Sequence, residues 1–377
     1  MTLKQTIIRN LLNIFGWRTS RHIVVIESDD WGSIRMPSKE VYEGLLTAGI
    51  RVDKCHYCAN DTVASEDDLS LLFELLNSVK DKNGNPAVIT ANAVVANPDF
   101  TKIKESDFLE YHYKRIDEGL KEIEGCENVL DLWMQGNENG CFRLQSHGRE
   151  HLNVSRWMHY LQNDYPETKL AFNKGGYGIS TTITNEKRKS FLPAFDFENS
   201  KEEQLANEIV ADGLRIFEEI FGFKSISFIA PNYTWGRSLE KTLSVNGVKY
   251  IQGQMRHRYK NAVGENNKVQ LRSIGSKTES GLINIGRNAV FEPSENPNKN
   301  WIDSCMKDIA TAFRWHHPAI ICSHRVNFVG GLNISNRDNN LFLLKELLVK
   351  IKKQWPNAEF MSSDQLGDLI TNNNNER

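Results

Sequence analysis

No apolar run in the chain approaches the ~18–20 residues needed to span a membrane. A secretory pattern is also missing. Arg9, Asn10 and Asn13 interrupt the N-terminal apolar residues, no small-residue cleavage site follows, and a cytoplasmic location is expected. Six cysteines in 377 residues make no disulfide framework. Cys55-His56-Tyr57-Cys58 has the spacing of half a zinc clip, but no second Cys-x-x-Cys exists, so it reads as a loop with two thiols. The net charge is only −2, which gives no global field to recruit nucleic acid, and none is expected as a partner. Neither glycine-rich phosphate pattern occurs. Internal repeats and composition shifts that would mark a domain boundary are absent too.

What is present is a globular composition, 40% hydrophobic and 25% charged, able to bury a sizeable core. Residues 3–17 carry Ile7, Ile8, Leu11, Leu12 and Phe15 at helical spacing. This predicts an N-terminal amphipathic helix over 1–21 that closes the bottom of the fold, or else makes a weak peripheral membrane contact. Strands are expected at 22–27, 87–95, 141–146, 225–230, 248–251, 282–291, 319–323 and 359–362, from their β-branched or apolar runs. Between them, helical patterns occupy 38–48, 66–79, 106–124, 200–221, 300–314 and 337–354. The stretch 172–199 lacks periodicity and is expected to be a loop or lid. Alternating strands and helices imply parallel βαβ units with right-handed crossovers. Seven or eight of them without a break predict an α/β fold, a (β/α) barrel over 22–370, followed by a disordered tail at 371–377.

Polar, reactive residues follow several of these strands. Asp29 and Asp30 follow the first, His147 and His151 the third, Asn232, Tyr233 and Trp235 the fourth, and His324 and Arg325 the strand at 319–323. In a parallel barrel these strand ends share one face, where sites form. The i, i+4 spacing of His147 and His151 places two imidazoles on one side of a helical turn. With Asp30 they supply the three ligands of a catalytic zinc site, leaving a position for a water that the metal makes more acidic. Asp29 then stands as general base and His324 as the acid for the leaving group. Backbone N–H groups near Asn232 and Tyr233 are expected to help stabilise an oxyanion.

With these motifs in this order, Asp29-Asp30, Ser146-His147-x-x-x-His151, the Pro-aromatic stretch at 231–235 and a strand ending in His324, the chain resembles the polysaccharide deacetylases. These are the carbohydrate esterase family 4 or NodB-homology enzymes. The resemblance implies a distorted (β/α) barrel of the glycoside hydrolase/deacetylase type. It implies a divalent metal, zinc being the expected one, bound by Asp30, His147 and His151. It further implies Asp29 as base, His324 as acid, and removal of acetyl from an N-acetylated sugar. The departures are Glu27-Ser28-Asp29-Asp30-Trp31 in place of Thr-Phe-Asp-Asp-Gly, and Ile229 where an arginine is usual. Arg35 or Arg325 is expected to replace that guanidinium. Trp31, Trp133, Tyr233 and Trp235 are candidate stacking surfaces for a carbohydrate partner.

Three other readings compete. His147-Gly148-Arg149-Glu150-His151 matches the H-x-x-E-H pattern of zinc peptidases, provided the motif lies within a helix. A glycosidase could use two of Glu27, Asp29 and Glu150. A silent carbohydrate-binding barrel is the third. If the chain works in the cytoplasm, a nucleotide- or lipid-linked sugar is more accessible to it than a finished polymer.

Overall fold

The computed structural model describes residues 3–259 and 269–375. Eight parallel strands make a nearly closed barrel: β1 (Ile23–Trp31), β2 (Ile89–Ala93), β3 (Phe142–Ser146), β4 (Ser227–Phe228), β5 (Tyr250–Gln254), β6 (Ile283–Arg287), β7 (Ala289–Val290) and β8 (Ala319–His324). Neighbours pair in chain order from β1 to β6, and β8 returns to pair with β1 in the register Val24↔Ala319 to Asp29↔His324. β7 pairs with β8, so β6 and β7 stand at the two edges with only Asn288 between them in sequence. No ladder joins those edges among the described residues, which leaves a seam in the wall. A ninth strand, β9 (Glu359–Met361), pairs with the start of β1.

The alternation of β1 explains both layers of the core. Val24 and Ile26 pack outward among the helices, whereas Ile23 and Val25 point into the barrel with Ile285 and Ile320. The same period carries Glu27 and Asp29 inward, above that apolar floor. Beneath it lies the C-terminal helix Ser363–Asn375, whose Leu366 and Ile370 join the cluster. Crossover helices cover the outside. Glu66–Ser78 begins on a Ser65/Asp68 capping box, and Ser200–Phe221 ends on left-handed Gly222.

Several expectations are corrected. β1 runs on through Trp31, so both aspartates lie inside the strand rather than after it. Residues 106–124 are not one helix. Positive φ at Asp107 and Phe108 turns the chain, and Tyr113–Arg115 pairs antiparallel with Ala96–Pro98. The stretch 282–291 is two strands, because the chain crosses the seam at Asn288. The C-terminal helix extends to Asn375, into the segment expected to be disordered, and residues 376–377 lie outside the described residues.

The N-terminal helix α1 (Leu3–Leu11) does not close the bottom. Its polar residues face the protein: Arg9 pairs with Asp308, Asn10 accepts from the Trp315 indole at 2.9 Å, and Asn13 accepts from Asn288 at 3.0 Å. Its apolar residues face out, with Ile7, Ile8, Leu11 and Phe15 exposed by 49, 46, 56 and 61%. Floor and helix should therefore respond unequally in urea unfolding. Leu366→Ala or Ile370→Ala is expected to cost about 2–5 kcal/mol through a buried cavity. Leu11→Ala should change stability by no more than about 0.5 kcal/mol.

Candidate metal centre

The site begins at an irregularity in β1. Its register against β2 shifts between Ser28 and Trp31, and Asp30 has φ 76°. Such a bulge re-aims side chains at a strand end. Without it, Asp29 and Asp30 would point to opposite faces; with it, both reach the site and Trp31 turns back to the helix layer. Gly32 completes the turn at φ +83°, where a Cβ would lie 2.6 Å from the Val94 carbonyl oxygen.

Asp30, His147 and His151 form a buried group whose candidate ligand atoms all lie within 4.8 Å of one another. The imidazole Nε2 atoms of His147 and His151 lie 3.5 and 3.2 Å from Asp30 Oδ1. His147 Nδ1 donates to the Ile229 carbonyl oxygen at 2.9 Å, which orients the ring and turns Nε2 toward Asp30. That Nε2 is buried and has no hydrogen-bond partner. Burial pushes His151 down to about 4, so its ring is neutral at pH 7. Burial also opposes ionisation of Asp30, but Arg35 and the two histidines outweigh it and hold the carboxyl well below its usual range. A carboxylate and two imidazoles, with one ring nitrogen unpartnered in the interior, are the donor set that a divalent transition metal takes. The residues fit the ion.

The histidines do not ride on a helical turn, as their spacing implied. β3 ends at Ser146, the next helix starts at Val154, and the loop between bends at Gly148 with φ +100°. This removes the helical context that the zinc-peptidase reading needs. Glu150, its proposed base, is fully buried and paired with Arg149.

Asp29 faces the centre from the barrel interior. Its oxygens accept from Arg287 Nη2 at 2.6 Å and Nη1 at 2.8 Å, and from Asn92 at 2.8 Å. Burial disfavours its charge, but the Arg287 guanidinium prevails and holds the carboxyl at about 2. Arg287 Nε also donates to Glu27 at 2.6 Å. His324 Nε2 lies 3.8 Å from Asp29 Oδ2, while its Nδ1 is 2.5 Å from Glu292 Oε2. Burial alone would lower His324, but Glu292 reverses the effect and raises it well above 6.5. Asn327 donates to the other Glu292 oxygen at 2.7 Å. The Tyr57 ring meets His324 edge-on at 5.6 Å and lies 4.6 Å from the Arg35 guanidinium.

Arg287, Glu292 and Tyr57 were not read from the sequence. Arg287 and Glu292 bear the same mark as the residues that were, since each is a charged side chain at or just after a strand. The guanidinium expected from Arg35 or Arg325 comes from Arg287. Arg35 lies 3.4 Å from Asp30 Oδ2 instead, and Arg325 is fully buried against Asp61 and the Ser33 carbonyl. Cys55 and Cys58 are free thiols flanking Tyr57 and belong to no candidate metal group among the described residues.

The aromatic expectations divide. Trp31 is 1% exposed and packs edge-on to Trp133 and Phe142, with its indole donating to Ser28, so it offers no face to a sugar. Trp133 is equally buried. Trp235 is buried too, stacked on His257 at 3.7 Å and hydrogen-bonded to Glu240. Tyr233 does reach the centre, where its hydroxyl accepts from Arg287 at 2.8 Å. Its backbone N–H donates to Ala230 at 3.0 Å and is not free for an oxyanion. Asn232, at φ 54°, is exposed.

No family model and no curated protein sequence matches the chain. Among solved structures it is similar in fold to a polysaccharide deacetylase from Mycobacterium smegmatis, at 12% identity over 96% of this chain and 94% of that one, with a TM-score of 0.43. A carbohydrate esterase family 4 pseudoenzyme from Bacillus anthracis is similar at 11% identity, over 92% and 66% of the two chains, with a TM-score of 0.37. An α-amylase from Thermotoga maritima is similar at 10% identity, over 92% and 74%, with a TM-score of 0.46.

Proposed function

We propose that this protein is a metal-dependent hydrolase that removes the acetyl group from an N-acetylated sugar. The observation that carries the reading is the buried triad of Asp30, His147 and His151, its bare His147 nitrogen set beside two further titratable groups of opposite character. A bound divalent metal, zinc by its donor set, would acidify a water and polarise the acetyl carbonyl. Asp29 is ionised across the whole working pH range and can accept the proton of an attacking water. Its base strength is held low by Arg287, which also keeps the carboxylate from turning away. His324 is protonated at neutral pH and stands across from Asp29, placed to hand its proton to the departing amine. Glu292 keeps that proton in place and fixes the ring. Tyr57 and Tyr233 form walls near the acid and the base. Working in the cytoplasm, such an enzyme would act on a sugar carried by a nucleotide or a lipid.

Three measurements test this. Elemental mass spectrometry should find about one transition metal per chain, the count of a single three-ligand site. The His147→Ala/His151→Ala variant should lose it. Wild type that takes up no metal after incubation with zinc would sink the mechanism. His324→Ala should lower kcat for acetate release from N-acetylated sugars by about 10²–10⁴-fold, with metal content unchanged.

The third is a pH profile. Activity that needs protonated His324 is present below its raised pKa and lost as pH rises through it. Glu292→Gln removes the largest of the charges that oppose burial and leaves Asp29 among the rest, so the basic limb of the profile should move to lower pH. The same pairing stabilises the fold below the histidine's ordinary 6.5 and fades as pH climbs through the raised value. An unmoved limb would mean that His324 is not the acid.

A further inference from the structure

The outward apolar face of α1 borders a cavity of about 680 Å³ at the barrel seam. Ile8 belongs to both: it is half-exposed and it lines the cavity with Leu12. The same cavity is lined by Tyr233, Arg287 and Cys322, and Arg287 is the residue that grips Asp29. One continuous path thus leads from the exposed helix to the partners of the catalytic carboxylate.

We infer that α1 lies on a membrane surface and that the seam cavity behind it admits an N-acetylated sugar carried on a lipid. The choice of sugar rests on the deacetylase reading; the docking does not. A helix with its polar side spent on its own protein and its apolar side in water gains by burying that side at the headgroup boundary. The charge pattern suits an anionic surface. Residues 1–26 contain Lys4, Arg9, Arg18 and Arg21 and no carboxylate side chain. Arg9 and Arg21 form ion pairs within the protein, whereas Arg18 is exposed and donates only to the Ile14 carbonyl among the described residues. A second copy of the chain is a poorer occupant. A stable protein interface engages roughly 20–30 residues a side, and α1 with its following turn offers Ile7, Ile8, Leu11 and Phe15.

Co-sedimentation of the full chain with vesicles of phosphatidylcholine and phosphatidylglycerol, at about 7:3, tests the docking. Wild type should bind, and Ile7→Glu/Leu11→Glu should bind at least about tenfold more weakly. Both residues are exposed, so the variant's thermal midpoint should match wild type. No vesicle binding, or equal binding by the variant, overturns the docking. A wild-type dimer in light scattering that the variant converts to monomer overturns it in favour of a second copy. The second arm compares acetate release from polyprenyl-diphosphate-linked N-acetylglucosamine in those vesicles with release from the matching sugar nucleotide. Faster turnover of the lipid-linked sugar supports the path, and equal turnover overturns that half. Vesicle binding with no acetate from either substrate overturns the deacetylase reading and leaves the docking standing.

Discussion

The site depends on one guanidinium in the barrel interior. Arg287 is buried, and its three nitrogens reach Glu27 and both oxygens of Asp29. An arginine can serve two carboxylates in this way because its planar fork offers five donors that do not deprotonate. Removing it would leave two carboxylates in a medium where an unpaired charge costs several kcal/mol. It also ties distant parts of the chain together, since β1 and β6 stand three strands or more apart in either direction around the barrel. The interior above the apolar floor is a polar layer held in register by this contact, with the Asn92–Gln252 amide pair continuing it on the far side of Asp29.

Given that layer, the second aspartate poses a geometric problem, because strict alternation would send it outward. The bulge at Asp29–Asp30 resolves it by placing a non-glycine residue at positive φ, a strained backbone of the kind that clusters at functional sites. Asp30 thereby meets the loop carrying His147 and His151, and Trp31 becomes a core residue. Strain, candidate metal triad and buried tryptophan are three consequences of one inserted residue.

Much of this was legible in the sequence and some was not, for physical reasons. The barrel could be read because parallel strands buried on both faces appear as short apolar runs, and because long helices such as 200–221 carry a clear 3.6 period. Asp29, Asp30, His147, His151 and His324 stood out as reactive residues at strand ends. The long-range pairings stayed hidden. Nothing near Arg287 in sequence says that its partners lie some 260 residues away. Glu292 likewise looks like an ordinary loop acid until β8 brings His324 against it. The direction of α1 was unreadable for another reason: periodicity reports that a helix has an apolar side, not which way that side faces.

Charge balance carries the case for a cation furthest. Glu27, Asp29, Asp30 and Glu292 are all buried around the centre, against Arg287, Arg35 and a protonated His324, which leaves one carboxylate in excess. A dry interior does not hold that excess without compensation. A proton could supply it, and burial does push Glu27 upward, toward its neutral form. A proton on Glu27 would not explain the His147 Nε2, which lies 3.5 Å from Asp30 Oδ1 and makes no hydrogen bond. A divalent ion among Asp30, His147 and His151 answers both deficits at one place. It would also turn the excess of negative charge into an excess of positive charge, the sign that an oxyanion developing in the proposed reaction requires.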